Sequence, residues 1–488
     1  MRLRGIATVV AAVTVSLVAA SGAHAAPTPD PIDWQPCEDA PEVDCASITV
    51  PVDWTDPDET ETIEIGLARH RATGEQGSLG SVVINPGGPG GSGVAVIENG
   101  MYLVSDELAA KYDVIGFDPR GINTSEPIQC DEELFQEFAS LPYPETRGQF
   151  KEVQRLNGEL ATDCAERTGA LYDHVDTIQT AHDIEAIRVA LDDGGLNYVG
   201  YSYGTLMGQQ YAELFGDNIR SMVLDGNMDH SLTTAWEFMS TETAAAEKNF
   251  VAFADWCDED AECALYGDDT KATYGKLRDQ ARSGDLTDPS TGEAVDFYNL
   301  TSLTFARSSN PSQWSTLATN LRDLRDQSDT RQLSVALDEE VEVNYPGQAI
   351  WCQDWDYPIY GYAHWALLNV GLALEYPNMQ WTPYNQHAVS CIGSDIETTN
   401  PQRPLQIDED VDLVMIGNHY DIATVYPWTV SAAEQSGATL ITYEGFGHTV
   451  YGQGLDCVDT PIDAYLMDQV QPEDGISCPD AQTPAGNR

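Results

Sequence analysis

Two hydrophobic rhythms share this chain. Short, nearly continuous apolar runs at residues 81–85, 112–117, 198–199 and 221–224 read as strands buried on both faces, and shorter alternating runs at 46–50 and 62–69 read as edge strands. Between them lie stretches of helical spacing. Residues 178–191 place Ile184, Ile187, Val189, Ala190 and Leu191 on one side and stop at Gly194-Gly195, and residues 205–214 form a second amphipathic run. The strand rhythm breaks near Asp229. From there to Asn400 the pattern is helical and tryptophan-rich, and strand signals return only at 412–416 and 438–443. Strands alternating with helices predict an α/β fold with a mostly parallel, doubly wound sheet. The interruption predicts a helical cap inserted at 229–400, with the core contributed by 26–228 and 401–488, the latter ending in a C-terminal tail.

The first 25 residues carry a different message. Arg2 and Arg4 precede an apolar run at 6–20, and Ala23-His24-Ala25 is a small-x-small cleavage site, the pattern of an export signal. The run is too short for a comfortable membrane span, and no later stretch approaches 18 apolar residues, so a secreted, extracellular protein without stable membrane insertion is expected. Ten cysteines agree with an oxidising destination. Their spacing suggests mostly local pairs, Cys37 with Cys45, Cys257 with Cys263 and Cys457 with Cys478, and Cys130 with Cys164 and Cys352 with Cys391 complete an even set. Neither C-x-x-C nor clustered Cys/His spacing is present, so no metal is expected.

Charge narrows the partners. The chain has 79 acidic against 23 basic residues, a formal net charge of −56. Phosphate recognition needs clustered Lys and Arg, so nucleic acid and anionic membranes are excluded as partners. The acidic surface reads chiefly as a solvated coat that keeps the protein dispersed.

The candidate chemistry begins at Gly200-Tyr201-Ser202-Tyr203-Gly204, where a strand meets a helix with a serine at the apex. Such a turn lifts the hydroxyl clear of the sheet and leaves no room for β-carbons two residues to either side. A serine needs an imidazole to take its proton, and the imidazole needs a carboxylate behind it. In the α/β-hydrolase order the acid and then the histidine follow the serine, each just past a strand. His448 follows the strand at 438–443 through Glu444-Gly445-Phe446-Gly447, and Asp421 follows the strand at 412–416 through Gly417-Asn418-His419-Tyr420. Asp225, at the end of the strand after the serine helix, is the rival acid. For the oxyanion, one backbone N–H belongs to Tyr203 and the other to the loop Gly87-Gly88-Pro89-Gly90, with Gly88 the expected donor.

Taken together, Asn85-Pro86-Gly87-Gly88-Pro89-Gly90-Gly91-Ser92-Gly93, Asp118-Pro119-Arg120-Gly121, Gly200-Tyr201-Ser202-Tyr203-Gly204-Thr205 and Gly445-Phe446-Gly447-His448 resemble the secreted tripeptidyl aminopeptidases, α/β-hydrolases related to the proline iminopeptidases. The resemblance runs over nearly the whole chain after the export signal. It implies a serine mechanism without a cofactor, a triad at Ser202, Asp421 and His448, and short peptides with a free N-terminus as substrates. One departure stands out: that family follows its acid with a Pro-Val-Thr-Pro-like turn, whereas this chain has Ile422-Ala423-Thr424-Val425. An aminopeptidase must also hold an ammonium group. The segment Ala349-Ile350-Trp351-Cys352-Gln353-Asp354 resembles a family segment near the cap–core junction, which makes Asp354 the candidate anchor, with Glu242 and Asp356 behind it. Two other readings use the same residues: an exported esterase with an apolar acyl pocket, and a non-catalytic peptide-binding protein on a hydrolase scaffold. The oligomeric state is left open.

Overall fold

A computed structural model describes residues 32–481, apart from 57–58, 76, 329–346 and 409. The export-signal segment lies outside the described residues. Ten strands form one sheet: β1 (Gln35–Pro36), β2 (Asp44–Pro51), β3 (Thr62–His70), β4 (Ser81–Asn85), β5 (Asp113–Phe117), β6 (Leu196–Tyr201), β7 (Ile219–Asp225), β8 (Val414–Tyr420), β9 (Thr439–Phe446) and β10 (Ile476–Cys478). Their spatial order is β1-β2-β3-β5-β4-β6-β7-β8-β9-β10. The first three are antiparallel neighbours at one edge, and every pairing from β5 to β10 is parallel.

Side chains of the central strands alternate between two cores because a strand turns successive residues to opposite faces. Val83, Ile115, Tyr198 and Leu224 face one core with Ile184, Ile187 and Leu206 of the helices Thr177–Leu191 and Tyr203–Phe215. Val82, Ile84, Val114, Val199 and Val223 face the other, with Val94 and Ile97 of Gly93–Glu98 and Val458 and Ile462 of Asp456–Asp468. Continuous apolar runs are therefore what this sheet requires. The topology reverses at β4, which lies between β5 and β6, so a crevice opens beyond the carboxyl ends of β4 and β6.

Between β7 and β8 the described residues contain helices but no strand of the sheet, among them Ala235–Glu259, Thr270–Ser283, Phe297–Ser308 and Trp314–Asp326. These four enclose a separate apolar core that includes Phe250, Phe253, Leu277, Leu300, Leu317 and Leu321. The later part of the insertion behaves differently. Ile350, Trp351 and Trp355 pack into the large core beneath the sheet. The aromatic run after them is mixed: Tyr357 and Trp365 are buried, and Tyr360 is exposed.

Disulfides join all five cysteine pairs named from spacing. Among the described residues no helix is long and apolar enough to cross a membrane.

The Asp118-Pro119-Arg120-Gly121 turn proves to be architecture. Arg120 and Asp183 are fully buried and joined by two 2.7 Å hydrogen bonds, and the remaining guanidinium donors reach the carbonyls of Pro51, Val52 and His174. Asp118 accepts hydrogen bonds from Ser92 Oγ and Val94 N on one oxygen and from Asn123 and Thr124 on the other. It thereby pins the helix that follows the glycine-rich loop.

Candidate active site

Ser202 stands between β6 and the helix Tyr203–Phe215 with φ 54° and ψ −124°, a left-handed conformation that is costly for a residue with a β-carbon. The surrounding packing enforces it. A β-carbon on Gly200 would come within 2.5 Å of the Gly204 carbonyl oxygen, and one on Gly204 within 2.7 Å of that of Asn85, so the flanking glycines are steric requirements of this elbow. The serine N–H donates to the Asp225 carbonyl at 3.0 Å, which ties the elbow to the end of β7.

The glycine-rich loop lies directly against this turn. A β-carbon on Gly87 would sit 2.6 Å from Tyr203 N and 2.9 Å from Ser202 Cβ. Asn85 Oδ1 accepts the Gly87 N–H at 2.9 Å, which fixes the loop's direction. Among the described residues neither the Gly88 nor the Tyr203 amide hydrogen is donated to any group. Two unspent backbone donors beside a half-buried serine, with a helix N-terminus behind them, form an environment suited to a developing negative charge.

Two strands run further than their apolar patterns indicate. Residues 417–420, expected as a loop after the strand, belong to β8, and 444–446 belong to β9. A register shift between Asn418 and Tyr420 allows Tyr420 to pair with Phe446, and their rings stack at 4.0 Å. Stacking and pairing carry both strands past the polar and glycine residues that break the apolar rhythm. Asp421 and His448 then leave adjacent strands almost level with each other.

His448 Nδ1 lies 2.9 Å and 3.1 Å from the two Asp421 oxygens. Asp421 is buried and held in its own turn: Oδ1 accepts the N–H groups of Ala423 and Thr424, and Oδ2 accepts the Thr424 hydroxyl at 3.0 Å. Thr424 Oγ1 also lies 3.4 Å from His448 Nδ1, so one hydroxyl touches both partners. The turn without prolines thus still folds over its carboxylate. Burial disfavours a charged imidazole, but the Asp421 carboxylate outweighs it and moves the His448 pKa above its ordinary 6.5. If His448 must be neutral to act as base, kcat/KM falls on acidification with a midpoint above 6.5, and Asp421→Asn moves that midpoint down; a pH–rate profile of both proteins measures this.

Asp225, the rival acid, has another task. Its Oδ2 accepts the N–H groups of Val450 and Tyr451 at 2.7 Å and 2.8 Å, clamping the segment after His448. Burial drives its pKa up to about 7. The Gly226 α-carbon beside it faces the imidazole: a methyl there would lie 3.3 Å from His448 Cε1. The Ser202 backbone and the His448 ring therefore converge on the same Asp225–Gly226 corner. Asn418 adds a further tie, donating to the Gly447 carbonyl at 2.8 Å.

The expected amine anchor is corrected by its surroundings. Asp354 is fully buried and its oxygens accept from Thr177 N, Thr177 Oγ1, Asn400 Nδ2 and, at 2.7 Å, the Tyr203 hydroxyl. A carboxylate so occupied presents nothing to a ligand. It braces the first residue of the serine helix, and burial beside Asp176 raises its pKa to about 7. Asp356 is exposed, its backbone paired with Gln402. Glu242 is the exception. It lies on the cap helix Ala235–Glu259, 1 % exposed, and neither carboxylate oxygen has a hydrogen-bond partner among the described residues. Burial, and then the nearby Asp421 charge, push its pKa well above the ordinary range.

The roles of Thr424 and Asp225 escaped the sequence reading. Thr424, three residues past the acid, carries a local signal, since a hydroxyl there can close an Asx-type turn. Asp225 carries none, because its partners are 225 and 226 positions away.

Residues 80–329 match the family described as the alpha/beta hydrolase fold. The chain is an α/β-hydrolase. Residues 377–478 of this α/β-hydrolase also match the family described as TAP-like protein. It is 29 % identical over 483 residues to the serine protease Hip1 of Mycobacterium tuberculosis, covering 92 % of this chain and 91 % of that one. It is 29 % identical over 485 residues to a tripeptidyl aminopeptidase of Streptomyces lividans, covering 93 % and 87 %. A carboxylesterase B of Mycobacterium tuberculosis is likewise 29 % identical over 454 residues, covering 89 % and 86 %. The names of these relatives thus divide between peptide and ester chemistry.

Proposed function

We propose that the protein is an exported serine aminopeptidase that releases short peptides, tripeptides in the first instance, from free N-termini. His448, oriented by Asp421, takes the proton of Ser202 as the hydroxyl attacks the scissile carbonyl. The amides of Gly88 and Tyr203 donate to the oxyanion, and the imidazolium passes its proton to the departing amine. Water, activated by the same histidine, then clears the acyl-enzyme. No metal or organic cofactor takes part in these steps.

The observation that carries the peptide reading over the esterase reading is Glu242, a buried carboxyl group without a partner, on the cap helix and close enough to Asp421 to feel its charge. An unpaired carboxyl in such a place is costly to ionise, and a substrate ammonium is the counter-ion that would restore its charge. The five disulfides support an oxidising, extracellular setting. The name of the Streptomyces relative supports the tripeptide preference.

The test compares free-amine tripeptide p-nitroanilides with their N-acetylated forms and with short-chain p-nitrophenyl esters. Loss of a buried charge pair costs about 2–5 kcal/mol, so acetylation is expected to lower kcat/KM by roughly 30- to 5,000-fold. Glu242→Gln should remove most of that discrimination. Equal turnover of free and acetylated peptides, with faster turnover of the esters, would establish the esterase instead.

A further inference from the structure

One space next to the site is not used by the steps above. A cavity of about 460 Å³ opens beside His448. Its walls come from Pro86 in the glycine-rich loop, from Tyr102 and Leu103 beyond the helix Gly93–Glu98, from Tyr201 next to the nucleophile and from Tyr451 after the histidine. All of its lining belongs to the sheet-bearing core, and no residue between β7 and β8 contributes. The tyrosine hydroxyls at its inner end are already engaged. Tyr201 donates to the Leu103 carbonyl, and Tyr451 donates to Asp463 Oδ1 at 2.7 Å. What these side chains offer a guest is therefore ring surface. Asp106 and Gln453, both exposed, stand at the solvent edge.

We propose that this cavity receives the residue immediately following the scissile bond, and that it selects a large apolar or aromatic side chain there. The inference rests on the serine-hydrolase mechanism proposed above and adds the chemistry of the departing half. When the tetrahedral adduct collapses, the C–N bond breaks and the nitrogen takes the proton that His448 removed from Ser202. That nitrogen must lie within hydrogen-bond reach of the imidazole, and His448 is one of the residues lining this cavity. The acyl half is drawn the other way, because Glu242 stands on the cap helix. The departing residue is left with a space whose apolar surface comes from Pro86, Tyr102, Leu103, Tyr201 and Tyr451, with Thr449, Asp106 and Gln453 as its polar part, and burial of an apolar side chain against the former is favourable. The Asp106 carboxylate at the edge opposes an acidic residue.

The experiment follows cleavage of free-amine peptides Ala-Ala-Pro-Xaa-Gly after proline, with Xaa as Phe, Leu, Gly or Asp, in the native protein and in Gln453→Trp, which fills the mouth. The native protein should favour Phe and Leu over Gly by about tenfold or more in kcat/KM, with Asp the poorest. In Gln453→Trp the ratio of Phe to Gly should fall by a similar factor, and fluorophosphonate labelling of Ser202 checks that the variant is folded. If free-amine peptides are not cleaved at all, the aminopeptidase reading fails, and benzyl against methyl esters of one acyl group read the same cavity. Equal turnover across the series used, or a ratio untouched by Gln453→Trp in a labelled protein, overturns the proposal.

Discussion

Ser202→Ala should abolish turnover, lowering kcat by around 10⁶-fold, the scale at which triad serines act elsewhere. The expectation comes from the geometry of the elbow. Its strained left-handed backbone, the glycines packed on either side, and the unspent amides of Gly88 and Tyr203 are all grouped around one serine hydroxyl. The change removes a small polar group at a half-buried position, so the fold should be retained. Thermal unfolding of the variant should track the native protein, and fluorophosphonate adduct formation should disappear. Persistence of the adduct elsewhere in the chain, with turnover largely intact, would mean that another residue is the nucleophile.

Asp421→Asn and Asp225→Asn should separate by several orders of magnitude. Asp421 faces His448 Nδ1 and selects the tautomer in which Nε2 is free to take a proton; an amide can present its NH₂ there instead and stabilise the wrong tautomer. A loss of about 10⁴-fold in kcat is expected, as for a comparable change in another serine triad. Asp225 uses one oxygen to accept two backbone N–H groups, a task that an asparagine oxygen also performs. Burial drives its pKa up to about 7, so the exchange removes less charge near neutrality than it would at an exposed aspartate. Asp225→Asn should therefore stay within about tenfold of the native rate, a loss of 1.4 kcal/mol or less. The opposite ranking would place the working acid at the end of β7.

The two pairs of residues also show where reading a chain succeeds and where it stops. The turn at Ser202 was legible because such an elbow imposes local sterics, and glycines at 200 and 204 are the written trace of those sterics. Asp421 and His448 were legible by order and by their places after strands, although the strand ends were misplaced. Apolar periodicity cannot see the Tyr420–Phe446 stack that carries β8 and β9 onward. Asp354 was misjudged for a related reason. Its segment looked like a ligand contact, and the three partner residues that occupy its oxygens come from positions 177, 203 and 400.

Much about this protein is therefore decided locally. Apolar runs of the right length, a serine between glycines, ten cysteines in pairable positions and an overwhelming negative charge are properties of neighbours in sequence, and they determine a disulfide-bonded α/β-hydrolase with a helical insertion. Which carboxylates are free to act is decided only by folding. The difference between Asp421, Asp225, Asp354 and Glu242 lies in the partners that distant strands and helices bring to the first three and not to Glu242, because a carboxyl group's charge and availability depend on what surrounds it in space.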